Sequence, residues 1–116
     1  MHKLVLVLRR TADPEALERQ WSERFVPLAE RMPGLRRVVV GRTAGAPGSI
    51  PNILLIHELL FDDLESLRRA MTSPDGQQAG RALMSFAADR SELFFAEHLE
   101  MEVPDRGPDH PAGIPS

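Results

Sequence analysis

Two histidines, His57 and His98, are the residues of this sequence best suited to acid–base chemistry. Each has a glutamate as a direct neighbour, Glu58 beside His57 and Glu97 beside His98. An imidazole titrates near neutral pH, so either histidine could remove a proton from an acidic C–H group or a phenol. Each could equally be a satisfied polar residue in a subunit interface, so the sequence leaves both interpretations open.

Other kinds of site have no support in the sequence. The chain has no cysteine and no tyrosine, which excludes disulfides, thiolate metal sites, cysteine nucleophiles and phenolic acids. No histidines have metal-ligand spacing, and the glycines at Gly45 and Gly48 are not followed by a helix start that would bind phosphate. A net charge of −3 lacks the basic character of a nucleic-acid binder. We therefore expect no metal, no cofactor and no nucleic acid.

Apolar side chains are expected to line the space between helices and sheet. The candidate lining residues are Trp21, Phe25, Leu28, Phe61, Phe86 and Phe95. Ordinary core packing explains the same residues without any ligand. Glu97 alternates in phase with Leu93 and Phe95, so it is expected near a buried face with an arginine partner.

Four apolar segments predict the strands that must position these residues. They are residues 3–9, 35–42, 53–61 and 93–103. The second segment carries arginines along its length, which is typical of an edge strand. The 116-residue chain is one domain's worth. We place the domain at residues 1–103 and a proline-rich tail at residues 104–116.

Helix signals fill the intervals between the strands. Asp13 and Pro14 are typical of a helix start, and Pro27 should kink or break the helix that follows. Asp62 and Glu65 could form a capping box for a short helix, and Ser73 restarts a longer one. No early apolar run reaches the roughly 7–15 residues of a signal peptide or the roughly 20 of a membrane span, so we expect no membrane association and, by default, a cytoplasmic protein.

The resulting βαββαβ order predicts an α+β, ferredoxin-like fold. Its antiparallel sheet should have the strand order 4-1-3-2. In that order the strands of His57 and His98 flank strand one, about 10 Å apart. The two histidines could then frame one small aromatic ligand if they share a face.

Both faces of the central strands are apolar. Leu4 and Leu6 alternate with Val5 and Val7 on strand one, and strand three repeats the pattern. Helices can cover only one face, so the other face predicts a homodimer that packs sheet against sheet as a dimeric α/β barrel. The alternative is that the tail or the loop 43–52 covers this second face.

Three short motifs make the chain similar to the EthD family of dimeric α/β-barrel proteins. They are Trp21–Leu28 on the first helix, Pro33–Arg37 before strand two, and Ser73–Gln77 followed by Phe86. The resemblance spans about residues 2–103. It implies a cofactor-independent oxidoreductase or monooxygenase, or a cyclase, acting on a small aromatic or polyketide-like compound.

The chain departs from the family pattern at one position. The family often has a histidine two residues before the helix-one proline, where this sequence has Phe25. A phenyl ring cannot accept a proton, so any catalysis would fall to His57 or His98. The alternatives are a small-molecule binding or accessory protein that has lost the base, and a purely structural dimer.

Overall fold

The fold is built on a four-stranded antiparallel sheet. His57 lies within its third strand in chain order, and His98 directly follows the fourth. The computed structural model describes residues 1–104 of the chain. The strands are β1 (His2–Arg9), β2 (Arg37–Arg42), β3 (Ile53–Phe61) and β4 (Ser91–Glu97). Their spatial order is β2-β3-β1-β4, which is the predicted order read from the other edge. The α+β, ferredoxin-like fold is thus confirmed, with β2 and β4 as edge strands.

The helices begin at residues whose side chains cap them. They are α1 (Pro14–Gln20), α2 (Val26–Ala29), α3 (Leu64–Thr72) and α4 (Pro74–Ala87). Asp13 accepts a hydrogen bond from the Ala16 N–H, and Ser73 accepts one from the Gly76 N–H. Both caps match the sequence expectation, because each side chain satisfies a backbone donor that the first helical turn leaves free.

The cap of α3 corrects one prediction. Asp63, not Asp62, accepts the hydrogen bond from the Ser66 N–H. Asp62 instead forms an ion pair with Arg36 at 2.9 Å. The two aspartates are adjacent, and only the side chain directly before the helix can reach its third residue.

A π-helical turn, Trp21–Phe25, joins α1 to α2. Its widened geometry appears in the hydrogen bond that the Val26 N–H donates to the Trp21 carbonyl, five residues back. Pro27 has no N–H and lies in the first turn of α2. The predicted disruption of the helix is therefore a local widening just before the proline, and it turns Trp21 and Phe25 toward the sheet.

The two faces of the sheet have different surroundings. The helix face packs against the helices and includes Leu4, Leu6, Leu8, Leu55, His57 and Leu59, all buried. Strand alternation places Lys3, Val5, Val7, Ile56, Glu58, Val39 and Phe94 on the opposite face, which we call the open face. The expectation that both faces are largely apolar therefore holds, although Lys3, Glu58, Arg37 and Glu92 are charged residues of the open face.

Strand β4 is shorter than predicted. It ends at Glu97, which pairs with His2, and residues 98–103 are not a strand. Glu100 lies 3.7 Å from Arg37 of the far edge strand, so this segment turns across one end of the sheet. The proposed tail, residues 104–116, lies outside the described residues except for Pro104. No helix in the described part is long and apolar enough to span a bilayer.

Candidate functional site

His57 is a polar residue in the middle of the apolar helix face. It lies opposite Leu6 of β1 and Val40 of β2, and its exposed fraction is 0%. It is the one buried polar or charged residue of the described chain. A buried polar side chain costs free energy unless it is hydrogen-bonded, so its partners decide what this position is for.

One ring nitrogen of His57 has a protein partner. The indole N–H of Trp21 donates a hydrogen bond to His57 Nδ1, at 3.1 Å. The two rings meet edge to face with their centroids 5.2 Å apart, and Phe25 meets the imidazole in the same way at 5.7 Å. The π-helical turn brings both aromatic residues to this point, one turn apart on the side that faces the sheet.

The other ring nitrogen of His57 has none. Nε2 is buried and has no hydrogen-bond partner within residues 1–104. Leaving such a group unpaired costs about 1–3 kcal/mol. Burial also lowers the pKa of His57 to about 4, so the imidazole is neutral at physiological pH. The site therefore contains a neutral ring with one unused polar atom.

A small apolar crevice lies next to Phe25, whose ring also contacts His57. It is lined by Leu4, Phe25, Met32, Met71, Gly76, Ala79, Gly80 and Leu93. Its volume of about 10 Å³ is the space that about one water molecule needs. Phe25 therefore has the crevice on one side and the His57 ring on another. Gly76 is required here because a Cβ would lie 2.1 Å from the Ala70 carbonyl oxygen.

An open groove between α4 and β4 adjoins the crevice. It has a volume of about 870 Å³ and is lined by Gln77, Gly80, Arg81, Met84, Ser85 and Leu93. The groove and the crevice share Gly80 and Leu93. A small molecule in the groove would therefore be separated from His57 by the crevice and the Phe25 ring.

The other expected lining residues do not share one space. Leu28 and Phe86 are half-buried around the core, and Phe61 is fully buried at the end of β3. Phe95 is 45% exposed on the edge strand β4. Of the six candidates, Phe25 alone lines the crevice, while Trp21 contacts His57 directly.

His98 is not part of this site. It follows the last residue of β4, and its backbone N–H donates to the Met1 carbonyl. Leu93, five residues earlier, is the β4 residue in line with Leu6 and His57, so His98 lies roughly 16 Å further along the strands. The two histidines therefore do not meet the condition for framing one ligand, because β4 ends at Glu97 and its register with β1 places Leu93, not His98, in line with His57.

His98 is partly buried at the end of β4, with 17% of its side chain exposed. Its Nε2 lies 2.7 Å from a carboxylate oxygen of Glu100, and this hydrogen bond lowers the pKa of that carboxyl. His98 and His2 each have an unpartnered Nδ1, but both rings are partly exposed, unlike that of His57. Glu97, expected near a buried face, is exposed because it ends an edge strand.

The contact between Trp21 and His57 was not found by sequence reasoning. The residues are 36 positions apart, so no local pattern links them. The residue types do contain a signal. The indole N–H of Trp21 can only donate a hydrogen bond, and His57 is the one polar side chain among the inward-facing residues of β3 that could accept it. In residues 1–104, no three His, Asp or Glu side chains are grouped to hold a metal ion.

The fold and the buried imidazole together define a ferredoxin-like α+β domain with a polar atom inside its helix–sheet layer. The EthD domain model matches residues 9–95, and the chain belongs to the EthD family. An EthD family protein from Bacillus halodurans is 31% identical, with a TM-score of 0.81, over 85% of this chain and 99% of that one. An uncharacterized 11.0 kDa protein of the thcB–thcC intergenic region in Rhodococcus erythropolis is 27% identical, over 84% of this chain and 94% of the relative.

More distant structures share the fold alone. SnoaB, a cofactor-independent oxygenase from Streptomyces nogalater, is 18% identical with a TM-score of 0.62, over 86% of this chain and 94% of that one. Two other structures that share the ferredoxin-like fold are described as dimeric.

Proposed function

We propose that this protein binds a small, largely apolar molecule between the helices and the sheet, with a polar atom of that molecule against His57. The observation that carries the proposal is the buried Nε2 of His57, which has no partner in residues 1–104. Pockets for small molecules are typically apolar with a few polar groups that fix orientation. The crevice lined by Phe25 and Leu93 supplies the apolar part of such a pocket.

The groove between α4 and β4 supports an entry route for such a molecule. Met84 and Leu93 are 47% and 37% exposed there, so apolar surface is available to a ligand before it reaches the crevice. The present crevice holds about one water molecule, so an aromatic ring requires the Phe25 side chain to move. Binding at this site should therefore depend on the size of residue 25.

Cofactor-independent oxidation or cyclisation of an aromatic or polyketide-like compound is the second candidate function. Membership of the EthD family and the fold likeness to the oxygenase SnoaB favour it. Such a reaction needs a group that removes a proton from the substrate. Phe25 cannot do so, and His98 lies outside the crevice beside Glu100, so His57 would have to take part. We propose that turnover is weak or absent in this protein, because Phe25 stands where the family often has a histidine.

A ligand titration and a turnover assay separate the two candidates. Binding of 4-nitrophenolate is measured by calorimetry for the parent, for Phe25→Ala and for His57→Phe. We expect tighter binding to Phe25→Ala, since the space is larger, and weaker binding to His57→Phe. If none of the three proteins binds a small aromatic probe, the site proposal is wrong.

The assay for turnover follows oxygen uptake with anthrone, without added cofactor, for the parent and for Phe25→His. A general base typically contributes about 10²–10⁴ in rate. A gain of that order in Phe25→His over an inactive parent supports a binding protein without a base. An active parent whose activity collapses in His57→Phe supports the oxygenase function instead.

We further propose that the protein is a homodimer through the open face. Val39 and Phe94 are 37% and 47% exposed there, and burying such apolar surface is the main driving force for association. The charged residues of this face have partners within the described chain: Lys3 pairs with Glu58 at 2.5 Å, Arg37 with Glu100 and Glu92 with Arg9. Sedimentation should give about twice the 12.9 kDa chain mass, and a monomer at micromolar concentration would contradict the dimer.

A further inference from the structure

We propose that Trp21 holds His57 in the tautomer that carries its proton on Nε2, and that this N–H donates a hydrogen bond to a carbonyl, enolate or phenolate oxygen of the ligand. Trp21 is then a positioning residue, and His57 acts as a donor and not as a base. The inference rests on the proposed function in one respect, namely that a ligand reaches this face of the sheet.

The assignment of the tautomer follows from which groups can donate. The indole N–H of Trp21 is a donor only, and it lies 3.1 Å from His57 Nδ1. Nδ1 must therefore offer its lone pair. A neutral imidazole has one protonated nitrogen and one acceptor nitrogen, so the proton is on Nε2.

The surroundings of His57 keep the imidazole neutral. The ring is fully buried among apolar side chains, with Leu6 and Val40 opposite it in the sheet and Trp21 and Phe25 above it. The carboxylate next in sequence, Glu58, points to the open face and pairs with Lys3. No charged group of the described residues therefore stabilises an imidazolium at this position.

The unused N–H defines the chemistry of the ligand atom. Nε2 is buried without a partner in residues 1–104, so the ligand group that satisfies it must be an acceptor. An ammonium group, which has no lone pair, would leave two donors facing each other. In a site of low polarity, a neutral N–H donor interacts most strongly with an oxygen that carries or develops negative charge.

This arrangement cannot take a proton from the ligand directly. The only lone pair of the ring accepts from Trp21, and Nε2 is already protonated. The site therefore fits the oxygen of a phenol or an enol that arrives as the anion, or it polarises a carbonyl oxygen while a water molecule accepts the proton from the breaking α-C–H bond to leave the enolate. It matches a ligand that is a weak carbon or oxygen acid.

Nitrogen NMR of protein labelled with ¹⁵N in histidine and tryptophan tests the tautomer without any ligand. At pH 7 we expect a protonated-type Nε2, an acceptor-type Nδ1, and a scalar coupling across the hydrogen bond between Trp21 Nε1 and His57 Nδ1. In Trp21→Phe the signals should move toward a mixture of the two tautomers. Phe25→Leu is the matched control, because it also alters a ring packed on His57 but removes no hydrogen bond, and it should keep the parent pattern.

A protonated Nδ1 in the parent, or the absence of the coupling to Trp21, would overturn the inference. The parent spectrum decides this even if Trp21→Phe does not fold. A Trp21→Phe variant that folds and keeps a pure Nε2–H tautomer would show that Trp21 does not set it.

Binding of 4-nitrophenolate tests the donor role separately. A hydrogen bond from a neutral donor to an anion predicts roughly a 10–100-fold loss of affinity in His57→Phe. An equal affinity in both proteins would contradict the donor role. If neither the parent nor Phe25→Ala binds the probe while the NMR pattern is as expected, the proposed function and the donor role have both failed and the tautomer assignment stands.

Discussion

His57 and Glu58 are neighbours in sequence, yet they lie on opposite faces of the same strand, and their polar atoms differ in whether they have partners. On the open face, the Glu58 carboxylate has a partner in Lys3 at 2.5 Å. On the helix face, His57 is more deeply buried but uses only one of its two nitrogens. A charged pair that is satisfied within one protomer can enter a subunit contact without leaving an unpaired charge. An unsatisfied donor inside the apolar layer between helices and sheet lowers the stability of the fold, and a ligand that accepts its hydrogen bond would restore that stability.

A charge placed on each face should give the largest difference between them. Leu6→Asp puts a carboxylate on the fully buried helix face and should cost about 4 kcal/mol or more, enough to unfold the domain. Val39→Asp changes a partly exposed residue of the open face, so the monomer should stay folded while the dimer is lost. Circular dichroism and sedimentation measure the two outcomes. A folded Leu6→Asp protein, or a dimeric Val39→Asp protein, would break the distinction.

Acid should destabilise the protein through His57. Its pKa is about 4 in the folded state and near 6.5 when unfolded. As the pH falls below about 6.5, the unfolded chain binds the proton first, so stability decreases until the pH reaches about 4. The loss should be about 3 kcal/mol by linkage, measured from urea unfolding at pH 7.5 and 4.

Variants isolate this contribution from other groups that titrate. His57→Gln should remove most of the loss, whereas His98→Gln should retain it because it leaves the buried His57 ring and its surroundings unchanged. If both variants lose stability with acid as the parent does, burial does not keep His57 neutral.

Loss of the Trp21 hydrogen bond should have an intermediate effect. Trp21→Phe keeps an aromatic ring but leaves both nitrogens of His57 without a partner, at a cost of about 1–3 kcal/mol. Chemical unfolding of the variant at pH 7.5 measures this cost. A stability equal to that of the parent would mean that the hydrogen bond is absent in solution.

The ion pair of the open face should contribute least. Lys3 and Glu58 side chains are 20% and 24% exposed, so their attraction is largely offset by lost hydration. Replacing both, as Lys3→Met with Glu58→Leu, should change monomer stability by less than about 1 kcal/mol and should tighten the dimer. Weaker dimerisation in the double variant would give the pair a larger role than the structure suggests.

Much of the fold could be predicted from the sequence because its signals are local. The sequence predicts strand β3 at residues 53–61, as observed, since an apolar run interrupted by His57 and Glu58 alone ends at Asp62. The predicted end of β4 at residue 103 is wrong, because the length of a strand also depends on the distant strand that pairs with it. Leu99, Met101 and Val103 alternate with glutamates as in a strand, but β1 begins at His2, so no paired strand remains beyond Glu97.

The site was predictable only in part. His57 was a candidate because a mid-strand histidine is a notable residue type, and Trp21 and Phe25 follow a helical spacing toward the core. The hydrogen bond between Trp21 and His57 joins residues from separate elements and depends on the π-helical turn. A proline at position 27 indicates a disturbed helix, but it does not reveal which side chains the disturbance turns inward.

The most direct test of the account is a titration of histidine-labelled protein with 4-nitrophenolate, followed through the ring nitrogens. We expect the His57 Nε2–H resonance to move strongly downfield as the probe binds, while the His98 resonances stay in place as an internal control. Saturable binding that leaves the His57 resonances unchanged would contradict the account, because the ligand would then lie somewhere other than the helix face.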